Sequence, residues 1–574
     1  MKGIIPAIIL AAVIPLRMAA GQHLPSHQMT PARATSPQDT TGIYGERKDS
    51  LEATVFTSRQ DGNYLARGKE LRTEVISSAG LRKMACCNLA ESFENSASVT
   101  VGYSDAVTGA RQIRLLGLSG VYTQMLDENR PAMRGIAAPF GLSYVPGQWL
   151  ESIQVAKGLS TVVNGVESIT GQINTEYRKP TDEKPLFVNL STMNDTKTDF
   201  NIASSLQMGE SWSTVILGHV SGNFKTFDHN HDGFRDDPGM LQVNVANRWL
   251  YYGPTGVQVR FGLRALQDRR KGGQDGYDHS TYTLSPESPW GSDIQNRSVN
   301  SYVKAGRGLR RALPLIDNIG VFSTGKSFSG IFSQHLLEDA WTYGGNATFY
   351  LPFGASSNTY IGLDFFGTSF NEQMVVDYEN IANTIDFYAL DGKRSFSRSY
   401  QIDFNVEPVR RLTVSATFRY TDARIEMKER GLTEKPLTSR YKGVLNLQYA
   451  TNLNKWVFDF TASINGKSRV YNFMEDLRDE NGKLLYKEGY SPAYPLLYLQ
   501  VTKRFKGIDI YLGAENLTNF RQKNLLVGTP MEETAGHGGM AAVNTALPDF
   551  DASAVWGPIM GTKVYIGLRY TLWK

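Results

Sequence analysis

Alternation of apolar with polar or small residues is the dominant pattern of the chain after residue 180. The segments Val257–Ala265 and Trp456–Ile464 read VQVRFGLRA and WVFDFTASI, and both follow this pattern. Successive side chains of a β-strand point to opposite faces, so each segment predicts a strand with one apolar and one polar face. The sequence Gly253-Pro-Thr-Gly256 lies between two such segments and predicts a tight hairpin connection.

Shorter alternating runs occur earlier, between residues 112 and 174. Glycines at positions 158, 165 and 171 separate them, and glycine allows the positive φ angles that turns need. We therefore predict a small domain of strands and turns. One helix is predicted over Met84–Glu94, where Leu89 and Phe93 share a face at i, i+4 spacing.

The N-terminal region is predicted to contain a signal peptide, which is cleaved off, and a tail without regular structure. Residues 1–21 combine a basic start, an apolar run and the small residues Ala19-Ala20-Gly21, which predicts a signal peptide. Residues 22–69 are polar and lack periodicity, so we expect a tail. No later stretch approaches the about 20 apolar residues of a membrane-spanning helix, so a membrane-spanning region has to be a closed barrel.

Composition supports this interpretation and excludes other classes of protein. The chain of 574 residues has 54 glycines, 28 tyrosines and 27 phenylalanines, as expected for many strands with aromatic girdles. The net charge of +4 is small and scattered, so we expect no nucleic-acid partner. Sequence motifs of hydrolases, metalloproteases or nucleotide-binding enzymes are missing, so we expect no catalytic residues and no enzyme.

Six motifs in one register resemble the plug of TonB-dependent outer-membrane receptors. In order, they are Ile113-Arg-Leu-Leu-Gly-Leu118, Gln124–Pro131, Val145-Pro146, Leu150–Gly158, Ser160–Gly165 and Gly171-Gln-Ile-Asn174. The match departs from the family at Gln154, where the family has Glu, and at Glu128-Asn129, where it has Gly. Ala514–Phe520 resembles the family's Glu-Asn-Leu-x-Asn box, and Tyr565–Trp573 resembles its C-terminal assembly signal.

The resemblance implies an all-β transmembrane barrel with an N-terminal α+β plug filling its lumen. We expect the plug at residues 70–180 and the barrel at residues 185–574. About 22 antiparallel strands are expected for a plugged transporter, which leaves roughly 18 residues for each strand and its connection. The implied location is the outer membrane, with the N-terminus in the periplasm. The resemblance also implies a monomer that is inserted by the barrel-assembly machinery.

A β-prone patch precedes the plug, where the family has its TonB box. It comprises Leu51, Glu52, Ala53, Thr54, Val55 and Phe56. The resemblance implies that this segment binds TonB of the TonB–ExbB–ExbD complex, as an added strand at a sheet edge. The alternative is an ordinary first strand of the plug.

Candidate ligand contacts lie on the plug and on a late loop. On the plug they are Met125, Met133, Arg134 and Phe140; on the loop they are His537 and Met540. The alternative is that the plug residues only pack on the barrel wall and that the loop is a flexible Gly-rich connection.

Two further segments are candidate metal sites. The adjacent Cys86 and Cys87 are either buried apolar residues or a weak soft-metal pair. Asp228, Asn230, Asp232 and Asp236 space oxygen ligands as in a Ca²⁺-binding loop, although the usual final Glu is replaced by Gly239. A structural Ca²⁺, a plain acidic turn and a His229/His231 metal site remain the alternatives.

The function implied is active import of a scarce ligand. Family resemblance favours an iron chelate such as a siderophore or haem, and the sulfur-bearing candidates favour copper, which we rank second. Import of a vitamin, peptide or small sugar is the alternative within transport. A structural or adhesive barrel is the alternative outside transport.

Overall fold

The computed structural model describes residues 62–66, 72–83, 88–133, 138–158, 168–181, 184–223, 225–229, 233–254, 256–280, 289–307, 321–325, 339–351, 353–354, 359–379, 385–390, 392–479, 481–523 and 551–572. These residues belong to one compact unit, Asp61–Lys574. In this part of the chain, no helix is long and apolar enough to cross a membrane.

The plug contains a six-stranded sheet with the order β1-β2-β8-β9-β6-β7 and a smaller sheet of β3, β4 and β5. Its strands are β1 Asn63–Leu65, β2 Thr73–Ser77, β3 Val99–Tyr103, β4 Arg111–Leu115, β5 Leu118–Ser119, β6 Thr123–Asp127, β7 Arg130–Pro131, β8 Leu150–Lys157 and β9 Gly171–Tyr177. Short helices span Ser78–Leu81, Leu89–Ser92 and Ala138–Gly141. In the larger sheet only β6 and β9 pair in parallel.

The core of the plug follows from its alternating strands. Ile153 and Val155 of β8 are fully buried, and Val155 lies opposite Ile173 of β9. The predicted helix is shorter than expected: its α-helical part is Leu89–Ser92, because Asn88 caps it by accepting from Glu91 N at 3.1 Å. A 3₁₀ turn, Phe93–Asn95, follows it, and Leu89 and Phe93 are both buried as predicted.

The remaining strands form a closed barrel, with β19 and β20 as a separate hairpin in one loop. They are β10 Leu186–Met193, β11 Lys197–Met208, β12 Trp212–Asn223, β13 Gly239–Tyr252, β14 Val257–Gly273, β15 Gly291–Arg307, β16 Val321–Gly325, β17 Asp339–Tyr350, β18 Tyr360–Glu372, β19 Met374–Asp377, β20 Asp386–Ala389, β21 Ser395–Val409, β22 Leu412–Met427, β23 Gly431–Glu434, β24 Tyr441–Ala450, β25 Trp456–Asn465, β26 Tyr494–Arg504, β27 Ile508–Glu515 and β28 Lys563–Leu572. β28 closes the barrel by pairing with β10 from Leu186↔Leu572 to Met193↔Tyr565.

Alternation along the strands separates an apolar outer face from a polar lumen. In β28, Ile566 and Leu568 face outward and are exposed, whereas Arg569 is buried in the lumen. The lumen side of β11 carries the buried Asp199 and Asn201. This arrangement confirms the predicted barrel, because lipid outside demands apolar side chains and the inside tolerates polar ones.

Several barrel strands are longer than the about 10 residues assumed for a spanning strand, although β10 and β27 contain 8 residues each. β14 and β15 each contain 17 residues. Longer strands use more of the chain per strand than the sequence estimate allowed. The number of about 22 stays a prediction, since segments between β15 and β17 lie outside the described residues.

The two ends of the barrel differ in their connections. One end, the short-turn rim, has tight turns such as 209–211, 253–256 and 505–507. The other end, the long-loop rim, carries connections such as 274–290, 466–493 and 516–562. In outer-membrane barrels short turns face the periplasm and long loops face outside.

Gly171 provides a test of the plug sheet. Its φ is +143°, and a Cβ there would lie 2.1 Å from Ala156 O. We expect Gly171→Ala to destabilise the plug by about 1–3 kcal/mol, because the strand pairing of β8 and β9 would have to shift. The measurement is thermal unfolding of the purified protein in detergent. Gly102→Ala is the control, since a Cβ there meets nothing within 4 Å; equal melting temperatures of the two variants would contradict the prediction.

Candidate functional site

Buried ion pairs fasten one side of the plug to the barrel wall. Arg72 Nε lies 2.8 Å from Asp364 Oδ1, and Arg72 Nη2 lies 3.3 Å from Asp403 Oδ2. Lys157 Nζ lies 2.8 Å from the second oxygen of Asp364. The side chains of Arg72, Lys157 and Asp364 are at most 5% exposed. One barrel carboxylate therefore holds two plug cations where β2 and β8 meet the wall.

A second ionic contact involves the turn between β6 and β7. Glu128, which replaces the family's glycine in this turn, has a φ of 49° and pairs with Arg248 of the barrel. Lys304 donates to the carbonyl oxygen of Glu128. The neighbouring Asp127 lies 3.7 Å from Arg264. The departure from the family pattern thus creates a plug–barrel contact.

The plug reaches the long-loop rim through residues 104–110. Asp105 Oδ1 accepts from the backbone N–H groups of Val107 and Thr108, which shapes the turn. Ala106 N donates to Ala552 O at 2.8 Å, and Arg270 Nη1 donates to Gly109 O at 3.1 Å. Ala106 and Val107 also pack with Phe234, Val555 and Ile559 of the loops.

A cavity lies on one flank of the plug, between β3–β4 and the barrel wall. We name it the flank cavity, and its empty volume, including the open mouth, is about 1360 Å³. Charged groups of the plug and barrel line it, together with four large aromatic side chains. They are Glu91, Glu94, Arg111, Arg114, Arg419, Lys442, Glu515 and Lys563, with Tyr103, Tyr494, Tyr498 and Trp556.

The aromatic wall of the flank cavity is held in place by Gln522. Its Oε1 accepts from Trp556 N at 2.7 Å and Gly557 N at 3.0 Å, and its Nε2 donates to Ala554 O at 2.8 Å. Tyr494 stacks on Phe520 with ring centroids 4.7 Å apart. These contacts within the protein hold the aromatic wall in place without a ligand.

Comparisons with known proteins identify the architecture. The model of the TonB-dependent Receptor Plug Domain matches residues 69–172. Residues 69–172 thus match the plug of TonB-dependent receptors, and the described chain has a plug-and-barrel fold.

Solved structures share this receptor fold at low sequence identity. The ferric enterobactin receptor PfeA of Pseudomonas aeruginosa matches with a TM-score of 0.56 and 11% identity, over 88% of this chain and 100% of that chain. The copper transporter OprC matches with a TM-score of 0.55 and 10% identity, over 89% and 99%. The siderophore receptor PiuA of Acinetobacter baumannii matches with a TM-score of 0.52 and 10% identity, over 88% and 97%. The comparison with curated protein sequences gave no match.

The structure places the ligand contacts predicted on the plug at different positions. Met125 is 9% exposed and belongs to the apolar core of the plug, so its sulfur is packed away from the lumen. Met133 packs on Gly141, next to Phe140. The Phe140 ring lies 5.3 Å from the guanidinium of the barrel residue Arg270. None of these three residues lines the flank cavity, and ligand contact by them stays a prediction.

Other predicted residues of the receptor lie outside the described part of the chain. They are Leu51, Glu52, Ala53, Thr54, Val55, Phe56, Cys86, Cys87, Arg134, Asn230, Asp232, His537 and Met540. The signal peptide at 1–21 and the segment Ser160–Gly165 also lie outside it. Of the predicted tail at 22–69, the structure describes residues 62–66.

The described half of the proposed Ca²⁺ loop already has protein partners. Asp228 Oδ2 accepts from Gly233 N at 2.9 Å, and Asp236 Oδ2 accepts from His229 N and lies 2.6 Å from His229 Nδ1. Among the described residues, no three His, Cys, Asp or Glu side chains form a group that could hold a metal ion. Structural Ca²⁺ at this loop stays a prediction.

Sequence reasoning missed the residues that line the flank cavity. Arg419, Lys442, Tyr494 and Tyr498 come from three barrel strands far from the plug motifs. Their only sequence signal is a basic or tyrosine side chain on the lumen face of an alternating strand. Many other residues share that signal, so it does not single them out.

Asp364 tests the ionic contact between plug and barrel. Asp364→Asn leaves Arg72 and Lys157 buried without their shared carboxylate, so we expect a loss of about 3–5 kcal/mol in the free energy of unfolding. Urea unfolding of the receptor in detergent measures it. Asp422→Asn is the control because its pair with Arg424 is 26% and 42% exposed, and about 0–1 kcal/mol is expected there. Equal losses in both variants would refute a special role of Asp364.

Proposed function

We propose that this receptor imports a scarce ligand across the outer membrane, powered by TonB binding to Leu51–Phe56. The observation that carries the proposal is that buried ion pairs and hydrogen bonds, beside apolar contacts, hold a plug in the barrel lumen. Arg72 lies between β1 and β2, directly before β2 begins at Thr73. It makes two buried ion pairs with the wall. A pull on the N-terminus would therefore load β1 and then Arg72 before it reached the apolar core.

Water can replace such polar contacts when the plug moves, which an extensive apolar interface would not allow at similar cost. The apolar cluster around Ile153 and Val155 lies mainly in the plug and continues onto barrel residues such as Phe187, Leu217 and Phe366. We propose that the ion pairs at the wall yield first, because water replaces them at lower cost than it replaces this apolar contact. This order suits a transporter better than a permanent structural stopper.

The ligand that we propose first is an iron chelate, and copper is second. The flank cavity offers guanidinium, ammonium, phenol and indole groups, which suit an anionic organic chelate. In its described lining the single soft donor is the thioether of Met560, and Cu(I) sites are built from several such donors. PfeA and PiuA are named for siderophore chemistry and OprC for copper.

Deletion of Leu51–Phe56 tests the energy coupling. We expect uptake to be lost while ligand binding to whole cells persists, because the plug would still fold but could not be pulled. Radiolabelled-ligand binding and uptake are measured in parallel. Deletion of a six-residue segment in the preceding tail, residues 30–35, is the control. Full uptake without Leu51–Phe56 would favour the structural or adhesive barrel.

Growth of a strain lacking the receptor tests the ligand. We expect a defect under iron starvation that ferric chelates relieve only when the receptor is restored, and normal growth under copper starvation. A defect under copper starvation alone would make copper the ligand. Normal growth under both limitations would favour the vitamin, peptide or small-sugar alternative.

A further inference from the structure

Two cations face each other in the wall of the flank cavity. Arg419 of β22 and Lys442 of β24 are directly opposite in the strand register. Each is 3% exposed. Like charges directly opposite on neighbouring strands destabilise a sheet, and burial strengthens their repulsion. A protein keeps such a pair at a cost unless an anion compensates for it.

The contacts of this pair with the plug are all to neutral oxygens. Arg419 donates to Ser98 O and to Thr100 Oγ1, both at 2.8 Å, and Lys442 Nζ donates to Val99 O at 3.4 Å. Arg419 Nε is buried and has no hydrogen-bond partner among the described residues. Neutral acceptors orient the two cations without neutralising them.

A third cation comes from the plug. Arg114 lies opposite Thr100 in the pairing of β3 and β4, so it adjoins the residue that Arg419 contacts. Its guanidinium donates to the carbonyl oxygen of Leu437. Burial lowers the pKa of Arg114, and the groups that oppose this effect are Tyr471 and Tyr494 rather than a carboxylate.

The neighbouring carboxylates are engaged elsewhere. Glu74 accepts from Ser98 Oγ at 2.5 Å and Ser96 Oγ at 3.3 Å, and burial raises its pKa. Glu94 accepts from the hydroxyl of Tyr498 at 3.4 Å. At the edge of the cavity, Glu91 pairs with Lys197 at 3.0 Å, and Lys563 pairs with Asp195 at 3.0 Å. Glu74 also acts electrostatically on Arg419 and Lys442, and Glu94 acts on Lys442. Two carboxylates offset three cations only in part, so the cluster of Arg114, Arg419 and Lys442 keeps a net positive charge.

We propose that the flank cavity is an interior binding site for a multiply charged oxyanion. Arg114, Arg419 and Lys442 bind its carboxylate, phosphate or phenolate oxygens, because hydrogen bonds between charged groups are the strongest that side chains make. Tyr494 and Trp556 contact an aromatic or apolar part of the same ligand. The role of the site as a station on the import route rests on the proposed function, whereas the binding itself does not.

The position of the three cations gives the site a second property. Arg114 belongs to the plug, whereas Arg419 and Lys442 belong to the barrel. An oxyanion bound between them bridges the two parts, and movement of the plug separates its ligands. Binding should therefore be tight while the plug is in place and weak once the plug is displaced.

Isothermal titration of the purified full-length receptor in detergent tests the site. The probe is the ferric tris-catecholate complex of 2,3-dihydroxybenzamide, a trianion with aromatic rings, at fixed ionic strength. We expect Arg419→Gln and Lys442→Gln each to weaken binding about tenfold, the loss of one charge-assisted hydrogen bond. A neutral ferric trihydroxamate of similar size should bind equally to all variants. Inorganic phosphate, as a second probe, tells whether a free oxyanion suffices; binding of phosphate that depends on the same two residues also supports the site.

Two further variants separate the proposed role from folding. Arg424→Gln removes a 42% exposed cation from the same strand and should leave affinity unchanged. Lys442→Arg keeps the charge and should retain affinity. In the unliganded receptor, Lys442→Gln should melt no lower than the unmodified protein, since the repulsion is relieved. Unchanged affinity in both cavity variants, or an equal loss in Arg424→Gln, overturns the proposal.

Cell assays distinguish failure of this proposal from failure of the proposed function. If iron uptake needs the receptor but Arg419→Gln and Lys442→Gln transport and bind normally, import holds and the oxyanion site is wrong. If the purified receptor binds the trianion through these residues but its loss causes no starvation defect, the site holds and the import of iron is wrong.

Discussion

The polar lumen of the barrel is the constraint on which the rest of the structure depends. Apolar side chains such as Ile566 and Leu568 occupy the outer face, so the alternation of each strand places polar side chains inside. A plug that fills this lumen has to pair with them. Burying a charge is costly unless an opposite charge compensates for it, which explains the ion pairs of Asp364 with Arg72 and Lys157.

This constraint divides the plug into two kinds of contact. Its own stability comes from an apolar core around β8 and β9, where Ile153, Val155 and Ile173 are fully buried. Its position comes from ionic and hydrogen-bonded contacts with the wall, such as Glu128 with Arg248, together with an apolar contact to Phe187, Leu217 and Phe366. The first kind is costly to expose to water, whereas water can replace much of the second. A folded unit that can be displaced is the mechanical requirement of an importer.

The flank cavity is a gap between the plug and the barrel wall. The wall on that side keeps Arg419 and Lys442 opposite each other, and the plug adds Arg114, while its Glu91 and Glu94 contact Lys197 and Tyr498. At Asp364 and at Arg248 the plug brings the opposite charge. This difference within one interface is the basis for the proposed oxyanion site, because packing alone would favour neutral or paired side chains there.

The sequence by itself determined the class of fold and much of the local structure. Alternation predicts strands and their outward faces, and β28 has the apolar residues outside as expected. The six motifs locate the plug, because its turns and buried strands depend on residues close together in the chain. Only the tertiary structure decided the length of the strands and which distant residues meet. Arg419 and Lys442 face each other because of the register between β22 and β24, and Arg114 lines the same cavity because the plug has one orientation in the lumen. Register and orientation are set by barrel closure and by many weak contacts together, so no local pattern encodes them.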